Sequence, residues 1–530
     1  MSITDRIARG LESGWKVTDC ATLTQNQTHE ADVVVIGTGA GGGTSAEILA
    51  RAGLSVILVE EGRLYHQKDF KMNELDAYAS LYQEGMSRVT KDGAISILQG
   101  RCVGGSTTVN WTSSFRTPEQ TLNWWGSRFG LDELSPDAMK PWFDGREEHH
   151  NIEPWMADPN VNNEVLRQGC EKLGWSWQVI PRNVKGCWNL GYCGVGCPTN
   201  AKQGALTTTI PAALDNHATL FHGLRADRLV MKQDRIDHLR ASAMKADGIT
   251  PSGIKVQLRA RHFVVAASAI GSPGLLLRSD IPDPYDRIGK RTFIHPVNAT
   301  VAEMAEKVDP YYGAPQSIYS DQFNFAAGVD GPAGFKLEVP PLHPAMSAGV
   351  VPGHGEPQKR DLSKLPHMNS VLALMRDGFH SNSPGGTVSL RGDGSPVLDY
   401  PVTDYLWKGL RDAFYRMAEI QFAAGAKKVR LMHLDSPWFS SWAEARKAID
   451  GLAMEPHKVR LFTAHQMGGC GMGKDPEESV VNGFGEHHQV SNLSVHDASL
   501  FPTSIGANPQ LSVYALSARN STRLVGKLGG

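Results

Sequence analysis

The chain has 530 residues, of which 41% are hydrophobic and 20% are charged, and its formal net charge is −2. A chain of this length exceeds one ordinary hydrophobic core, so two or more packed units are expected. The near-neutral balance and the lack of a basic block exclude nucleic acid as the main partner. No run of about 18 apolar residues occurs, which predicts no membrane-spanning helix and leaves peripheral membrane contact open.

The N-terminal segment MSITDRIARGLESGWKV lacks the apolar core of a signal peptide. This composition favours a cytoplasmic location. The seven cysteines form no even framework of the kind that small secreted proteins use.

The first motif is ADVVVIGTGAGGGTSAEILARAGLSVILVEEG, which begins at Ala31. A valine-rich strand, a glycine turn into a helix and a second buried strand follow one another. The turn contains Gly37, Gly39 and Gly42, which let the backbone approach a pyrophosphate at a helix N-terminus. Glu60 ends the second strand, where a carboxylate accepts ribose hydroxyls and repels a 2′-phosphate. The segment therefore predicts a site for NAD or FAD and does not separate the two.

A second glycine loop follows in SILQGRCVGGSTTVNWTSSFRTP, Ser96 to Pro118, where a strand leads into the turn. Eight of the twelve tryptophans then fall between Trp111 and Trp188. They form either an aromatic lid over a pocket or large apolar anchors in a loop-rich segment, and both alternatives stay open.

Further along the chain, RHFVVAASAIGSPGLLLRSD predicts a strand, a small-residue turn and a helix. Period-two alternation in GGTVSLRGDGSPVLDY predicts antiparallel strands. An amphipathic helix is predicted from an N-cap at Asp404 to a stop at Gly425, and the polar stretch Gly353–Pro366 predicts a surface loop. The last helix is predicted to have Pro509 in its first turn and Asn508 as its N-cap.

Three separated regions together resemble the glucose–methanol–choline (GMC) family of flavoprotein oxidoreductases. They are the dinucleotide unit closing on VEEG, the loop GRCVGGSTTVNW with the later GSPGLLLRSD, and TAHQMGGCGMG followed by NLSVHDASLFPTSIGANPQLSVYALSARNSTRLV. The resemblance covers nearly the whole chain, in order. It implies that the nucleotide is FAD and that the chain is an FAD-dependent alcohol dehydrogenase or oxidase, which moves hydride from the alcohol to flavin N5.

The resemblance implies an α/β fold, with a discontinuous Rossmann-like FAD-binding domain and an α+β substrate-binding domain that has a mainly antiparallel sheet. The FAD-binding domain is implied to consist of three segments, at 28–115, 200–295 and 456–530. A Trp/Cys-rich lid or cap at 116–199 and the substrate-binding domain at 296–455 lie between them in the chain. The segment 456–530 carries the implied catalytic residues.

Residues that contact FAD follow from the same resemblance. Besides the glycine turn and Glu60, they are Gly104, Gly105, Ser106, Asn110, Ala226, Asp497 and Ala498. Family members with histidyl-linked flavin carry a histidine just before the asparagine of the first signature. Val109 occupies that place here and has no nucleophile, so the FAD is predicted to bind non-covalently.

Oxidation of an alcohol requires loss of its hydroxyl proton, and a positioned base accelerates that step by roughly 10²–10⁴-fold. His465, in HQMGGC, aligns with the family's catalytic histidine, and imidazole titrates in the useful range. Asn508 aligns with its partner. We therefore predict His465 as the base and Asn508 as the donor that orients the substrate oxygen. His295 is predicted to be structural, and the pairs His149–His150 and His487–His488 are predicted to be solvated.

Cys187, Cys193 and Cys197 resemble part of a cysteine cluster in a branch that contains long-chain alcohol oxidases and sugar-acid dehydrogenase subunits. Their x5 and x3 spacings make a poor zinc or iron–sulfur set, so a structural role and no metal site are predicted. The branch favours a lipophilic or long-chain alcohol. A flavoprotein subunit passing electrons to a quinone or cytochrome, and a non-redox hydroxynitrile lyase, stay open as alternatives, and the electron acceptor (oxygen, quinone or cytochrome) is not fixed.

Overall fold

A computed structural model describes residues 5–529, so the first four residues of the N-terminal segment and the last residue of the chain lie outside the described range. The α-helices of the described chain are Arg6–Glu12, Ala40–Arg51, Glu74–Leu81, Ser106–Val109, Glu119–Phe129, Pro136–His149, Val161–Leu173, Thr209–Asp215, Ser268–Arg278, Pro344–Val350, Gly355–Leu362, Asp404–Ala423, Trp442–Ile449 and Gln510–Leu528. No helix among these is long and apolar enough to cross a membrane.

The first sheet has eight strands and is parallel at its centre. Across the sheet they are Lys16–Asp19, Thr219–His222, Val56–Glu60, Gln27–Ile36, Pro251–Val265, Arg235–Met244 and Leu224–Lys232, with Leu493–Val495 paired to Pro251–Val265. The predicted strand–helix–strand unit is confirmed. Val33 and Val35 pack on the helix Ala40–Arg51, called the dinucleotide helix below, while Val34 and Ile36 enter the core on the opposite face.

The second sheet also has eight strands, and almost all of its pairs are antiparallel. Across the sheet they are Ile95–Ile97, Leu461–Thr463, Val297–Glu303, Met368–Met375, Phe335–Glu338, Ile318–Phe323 and Gln178–Val179, with Lys428–Leu431 paired to Val297–Glu303. Two-stranded ladders join Thr292–Phe293 to Met467–Gly468, Ile152–Pro154 to Pro181–Asn183, and Thr387–Leu390 to Pro396–Asp399. The last of these confirms the strands predicted from GGTVSLRGDGSPVLDY. An α/β fold with one mainly parallel and one mainly antiparallel sheet is therefore confirmed.

Two predictions about individual segments are wrong. The predicted surface loop at 353–366 contains the helix Gly355–Leu362, which covers one face of the second sheet together with Pro344–Val350. The other face carries the long helix Asp404–Ala423, whose N-cap is Thr403 rather than Asp404.

The last helix, Gln510–Leu528, called the final helix below, begins one residue later than predicted. Pro509 occupies its N-cap position, and Asn508 makes no capping hydrogen bond to it. The side chain of Asn508 is therefore available for another contact.

Candidate active site

A large cavity lies between the two sheets and encloses about 1090 Å³. It is called the central cavity below. It begins at the carboxyl ends of the parallel strands Gln27–Ile36 and Val56–Glu60, which is where open α/β sheets bind their ligands. Its far end reaches Val297 and Leu374 of the second sheet. The cavity thus joins the predicted nucleotide unit to the antiparallel sheet.

Most residues predicted to contact the cofactor or substrate line this one cavity. They are Gly37, Gly39, Glu60, Gly105, Ser106, Asn110, Ala226, Asp497, Ala498, His465 and Asn508. The remaining two, Gly42 and Gly104, are not on the cavity wall. A Cβ on Gly42 would collide with the Gly37 carbonyl oxygen, so Gly42 closes the first turn. Gly104 has φ +91°, a left-handed conformation that glycine adopts freely.

The Glu60 carboxylate lies at the cavity wall and is hydrogen-bonded to neighbouring groups. Its carboxylate accepts hydrogen bonds from the Thr38 amide at 3.2 Å, the Thr38 hydroxyl at 2.7 Å and the Gly62 amide at 2.9 Å. The Thr38 hydroxyl in turn accepts from the Gly104 amide at 3.0 Å. One threonine, which sequence reasoning missed, therefore ties the strand end to both glycine loops. Burial raises the pKa of Glu60, and these donors oppose that shift.

Asp497 anchors a second turn at the cavity wall. Its carboxylate accepts from the Ser268 amide at 2.8 Å, the Ser272 hydroxyl at 2.5 Å and the Ser499 amide at 2.8 Å. Ser268 has φ +76° at the start of the helix Ser268–Arg278. The carboxylate thus holds a strained turn beside the cavity, which is a structural reason for an acid at this position.

His465 and Asn508 lie on different loops and face the same cavity. Nδ1 of His465 lies 3.3 Å from Nδ1 of His295, whose Nε2 accepts a hydrogen bond from the Gly506 amide at 3.1 Å. Burial lowers the pKa of His465 to about 4 and that of His295 well below its usual value. Both rings are therefore neutral near pH 7. The prediction that His295 is structural missed its contact with His465.

Asn508 donates its amide to Glu338 Oε2 at 3.3 Å, while its Oδ1 and Glu338 Oε1 are buried without a partner in the described chain. Burial raises the pKa of Glu338 to about 7. Glu338 was not found from the sequence, although a signal exists in the strand FKLE. There Lys336 and Glu338 share one face, and both are buried. Two buried charged side chains on one strand face are rare unless they are paired or have a functional role.

The prediction that the two histidine pairs are solvated is wrong. His150 stacks on Tyr514 with ring centroids 3.9 Å apart, and burial lowers its pKa to about 3. His149 lies 3.2 Å from Glu47. His487 is buried with a pKa lowered to about 4, and His488 is half-buried. Adjacent histidines in a polar stretch carry no local signal that separates burial from exposure.

The cysteine segment packs against the second glycine loop through a buried lysine. Lys202 Nζ donates to the carbonyls of Thr108, Asn110 and Cys193 at 2.9, 2.6 and 2.7 Å. Burial lowers the pKa of Lys202 to about 8. All cysteines of the described chain are free thiols, and no three His, Cys, Asp or Glu side chains gather there in a metal-binding arrangement. Among the tryptophans between 111 and 188, Trp111 is the one that lines the central cavity in the described structure.

Two family models match this chain. Residues 78–297 match the N-terminal model described as GMC oxidoreductase, and residues 381–517 match the C-terminal model of the same description. The chain belongs to the GMC oxidoreductase family. As a GMC oxidoreductase it is an FAD-dependent oxidoreductase that acts on CH–OH groups.

Curated relatives share this family, and solved structures share the fold. A long-chain-alcohol oxidase of Arabidopsis thaliana is 29% identical over 510 residues, which are 92% of this chain and 67% of the relative. An uncharacterized GMC-type oxidoreductase of Mycobacterium tuberculosis is 31% identical over 503 residues, 94% of this chain and 76% of the relative. Pyridoxine 4-oxidase of Mesorbium loti has a TM-score of 0.68 at 18% identity, covering 93% of this chain and 98% of that structure. Formate oxidase of Aspergillus oryzae has a TM-score of 0.70 at 16% identity, covering 96% and 100%.

The residues of this GMC oxidoreductase fit FAD. A Cβ on Gly39 would meet only the Gly105 Cα, at 4.0 Å, so the space between the two glycine loops is open to a ligand. The dinucleotide helix starts beside this space without a side-chain cap, which leaves backbone N–H groups for a pyrophosphate. The Glu60 carboxylate has acceptor capacity beyond its three hydrogen bonds.

Proposed function

We propose that this GMC oxidoreductase oxidises a lipophilic or long-chain alcohol to an aldehyde or ketone. The observation that carries the substrate class is an apolar part of the central cavity wall. There the second sheet contributes Val297, Leu372, Leu374 and Phe462. Val297 pairs with Leu374 on one side and with Phe462 on the other, so these side chains share a sheet face. An alkyl chain buried against this face gains about 0.8 kcal/mol per CH₂ group.

We propose that His465 takes the hydroxyl proton and that Asn508 orients the alcohol oxygen. The depressed pKa keeps His465 neutral near pH 7, which leaves it able to accept a proton. Glu338 holds one amide hydrogen of Asn508, and the second hydrogen stays free for the substrate. FAD, when bound, supplies the acceptor for the hydride. The apolar wall excludes water from the reacting carbon.

Cofactor binding is proposed to be non-covalent. Val109 is 4% exposed and lines the central cavity, and its side chain offers no nucleophile to a flavin. We also propose the predicted division of the chain, with FAD-binding segments at 28–115, 200–295 and 456–530, a cap at 116–199 and a substrate-binding domain at 296–455. Sheet membership supports this division for most strands. The exceptions among the FAD-binding segments are Ile95–Ile97 and Leu461–Thr463, which pair with each other in the second sheet.

The test is an anaerobic series of straight-chain alcohols from ethanol to dodecanol, with bleaching of the flavin absorbance as the readout. Longer alcohols should bleach the flavin at lower concentrations, and His465→Gln should keep FAD while bleaching roughly 10²-fold more slowly. Leu372→Ala serves as a matched variant, because it should weaken the binding of dodecanol more than the binding of ethanol. Bleaching by no alcohol would refute oxidation and favour the lyase. Admission of air then distinguishes an oxidase, which recovers colour, from a subunit that requires a quinone or cytochrome.

A further inference from the structure

Gln316 is a polar residue on the wall of the central cavity that the proposed reaction does not use. It lies in the turn before the strand Ile318–Phe323 and is 6% exposed. Its φ is +49°, a left-handed conformation that is uncommon for a residue with a long side chain. Residues strained in this way cluster at sites that hold a ligand, so the side chain of Gln316 needs an explanation.

Neighbouring segments fix the backbone of this turn. The side-chain oxygen of Asn163, a residue that does not line the cavity, accepts hydrogen bonds from the amides of Ser317 and Ile318 at 2.9 and 3.2 Å. The amide of Gln316 itself donates to the Val339 carbonyl at 3.2 Å. Gln316 is therefore held at a fixed place beside the end of the neighbouring strand.

The side-chain amide of Gln316 is paired at its oxygen and free at its nitrogen. Its Oε1 accepts a hydrogen bond from the Ser113 hydroxyl at 3.0 Å. Its Nε2 makes no hydrogen bond within residues 5–529 and, unlike the unpaired Oδ1 of Asn508, is not sealed inside the protein. Because Gln316 lines the central cavity, its free N–H groups are available there to a ligand that brings an acceptor.

The donor of Gln316 lies close to the proposed reaction site. Glu338 accepts the amide of Asn508 and is paired in the sheet with Leu372, which belongs to the apolar wall. Gln316 and Asn508 thus meet the end of the same strand, Phe335–Glu338, and both line the cavity. A molecule whose hydroxyl lies at Asn508 can therefore contact Gln316 with another of its atoms.

We propose that Gln316 is a specificity-determining residue that donates a hydrogen bond to a second oxygen atom of the substrate. This inference rests on the proposed oxidation of an alcohol in this cavity. The substrate class is then a lipophilic alcohol with an ether, hydroxyl or carbonyl oxygen further along its chain. A plain alkanol places hydrocarbon against the Gln316 donor, which loses its hydrogen bond to water without gaining another.

Four ether alcohols test the proposal: 2-butoxyethanol, 3-propoxypropanol, 4-ethoxybutanol and 5-methoxypentanol. Each has the chain length of 1-heptanol, with one CH₂ group replaced by an oxygen that only accepts hydrogen bonds. Calorimetric titration of the holoenzyme, with its FAD reduced by dithionite, measures their affinities without turnover. The affinity should peak at one position of the oxygen, roughly three- to tenfold above the weakest isomer. Equal affinities across the series would overturn the proposal.

This readout separates the inference from the proposed function, because reduced enzyme cannot oxidise an alcohol. If no alcohol bleaches the oxidised flavin and the affinities still peak, alcohol oxidation fails and the contact with Gln316 stands. If alcohols bleach the flavin and the affinities are equal, the oxidation stands and the role of Gln316 fails.

Variants assign the peak to Gln316. Gln316→Met keeps an unbranched side chain of similar length and removes the donor, so the peak should disappear while 1-heptanol still binds. Gln322→Met is the matched control and should keep the peak, since Gln322 is exposed on the adjoining strand and does not line the cavity. Ser113→Ala leaves the turn intact and frees the Gln316 amide, so it should lower the peak even if Gln316→Met folds poorly. A peak unchanged in Gln316→Met and Ser113→Ala would overturn the proposal.

Discussion

Glu338 and Asn508 form a buried pair behind the cavity wall, with Asn508 Nδ2 3.3 Å from Glu338 Oε2. The pKa of Glu338 is raised to about 7 by burial. In the unfolded chain this carboxyl ionises near pH 4.5, so the folded protein binds the extra proton between about pH 4.5 and pH 7. Its contribution to stability is therefore lost progressively as the pH rises through that window.

Glu338→Gln should remove this dependence. The unfolding free energy of the wild type, minus that of Glu338→Gln, should fall by roughly 3 kcal/mol between pH 4.5 and pH 7.5. Urea unfolding at several pH values measures the difference, and subtraction cancels the opposite contribution of the buried neutral histidines. Parallel curves for the two proteins would show that Glu338 ionises normally.

Asn508→Ala should cost stability through Glu338 rather than through a lost helix cap. The substitution removes the one side-chain hydrogen bond that Glu338 receives within residues 5–529, at a cost of about 1–3 kcal/mol. Asn508→Asp should be worse above pH 7, because it places a second carboxylate beside the first. Thermal unfolding at pH 5.5 and pH 8 measures both. An aspartate variant as stable as the wild type at pH 8 would contradict the pairing.

Gly39→Ala should separate cofactor binding from folding. An alanine Cβ there would lie 4.0 Å from the Gly105 Cα, an ordinary van der Waals contact, so apoprotein stability should change by less than about 1 kcal/mol. The same methyl occupies the gap proposed for the pyrophosphate, and FAD affinity should fall at least about tenfold. Gly41→Ala is the contrasting variant, because its Cβ would collide with the His496 carbonyl oxygen and should disrupt the fold itself. Equal FAD titrations for wild type and Gly39→Ala would place the cofactor elsewhere.

Glu60→Gln should weaken FAD binding by roughly tenfold, since the amide, which still has to serve the Thr38 and Gly62 hydrogen bonds, offers one acceptor oxygen fewer to the ribose hydroxyls. Fluorescence titration of apoprotein with FAD gives the affinity. Glu30→Gln, at an exposed position on the neighbouring strand, is the control. Unchanged FAD affinity in both variants would show that Glu60 only stabilises its turn and does not contact FAD.

FAD should leave the protein intact when the purified holoenzyme is denatured in acid. The physical reason is the hydrocarbon side chain of Val109 at the position where a histidine would form the covalent link. Precipitation followed by absorbance of the supernatant measures the released flavin. Yellow colour retained in the washed pellet would contradict non-covalent binding.

The sequence could predict the nucleotide unit because its geometry is encoded locally. The turn at Gly37, the strand end at Glu60 and the second loop at Gly105 each require particular residues at fixed spacings, and the structure brings them to one cavity. Contacts between distant segments were not predictable in this way. Thr38 reaches Gly104, and Asn508 reaches Glu338, only because the folded chain brings separate loops and strands together.

Prediction from the sequence also failed for a polar helix. The helix Gly355–Leu362 has no fully buried residue, and the composition of its stretch is typical of a solvated loop. It is held partly by Gln358, whose side-chain amide donates to the carbonyls of Ala348 and Val351. Such support comes from the neighbouring helix and leaves no apolar periodicity in the stretch itself.

The order of the strands in the first sheet has a consequence for biosynthesis. The strand Leu493–Val495 pairs with Pro251–Val265, Asp497 follows it at the cavity, and the final helix packs on the dinucleotide helix. A ribosome that has just made Glu60 still needs roughly 20–90 s to reach Asp497 at typical elongation rates. The nascent nucleotide unit spends that time without its last strand and without its covering helix. We therefore expect flavin to bind only after the strand Leu493–Val495 and the final helix have been made.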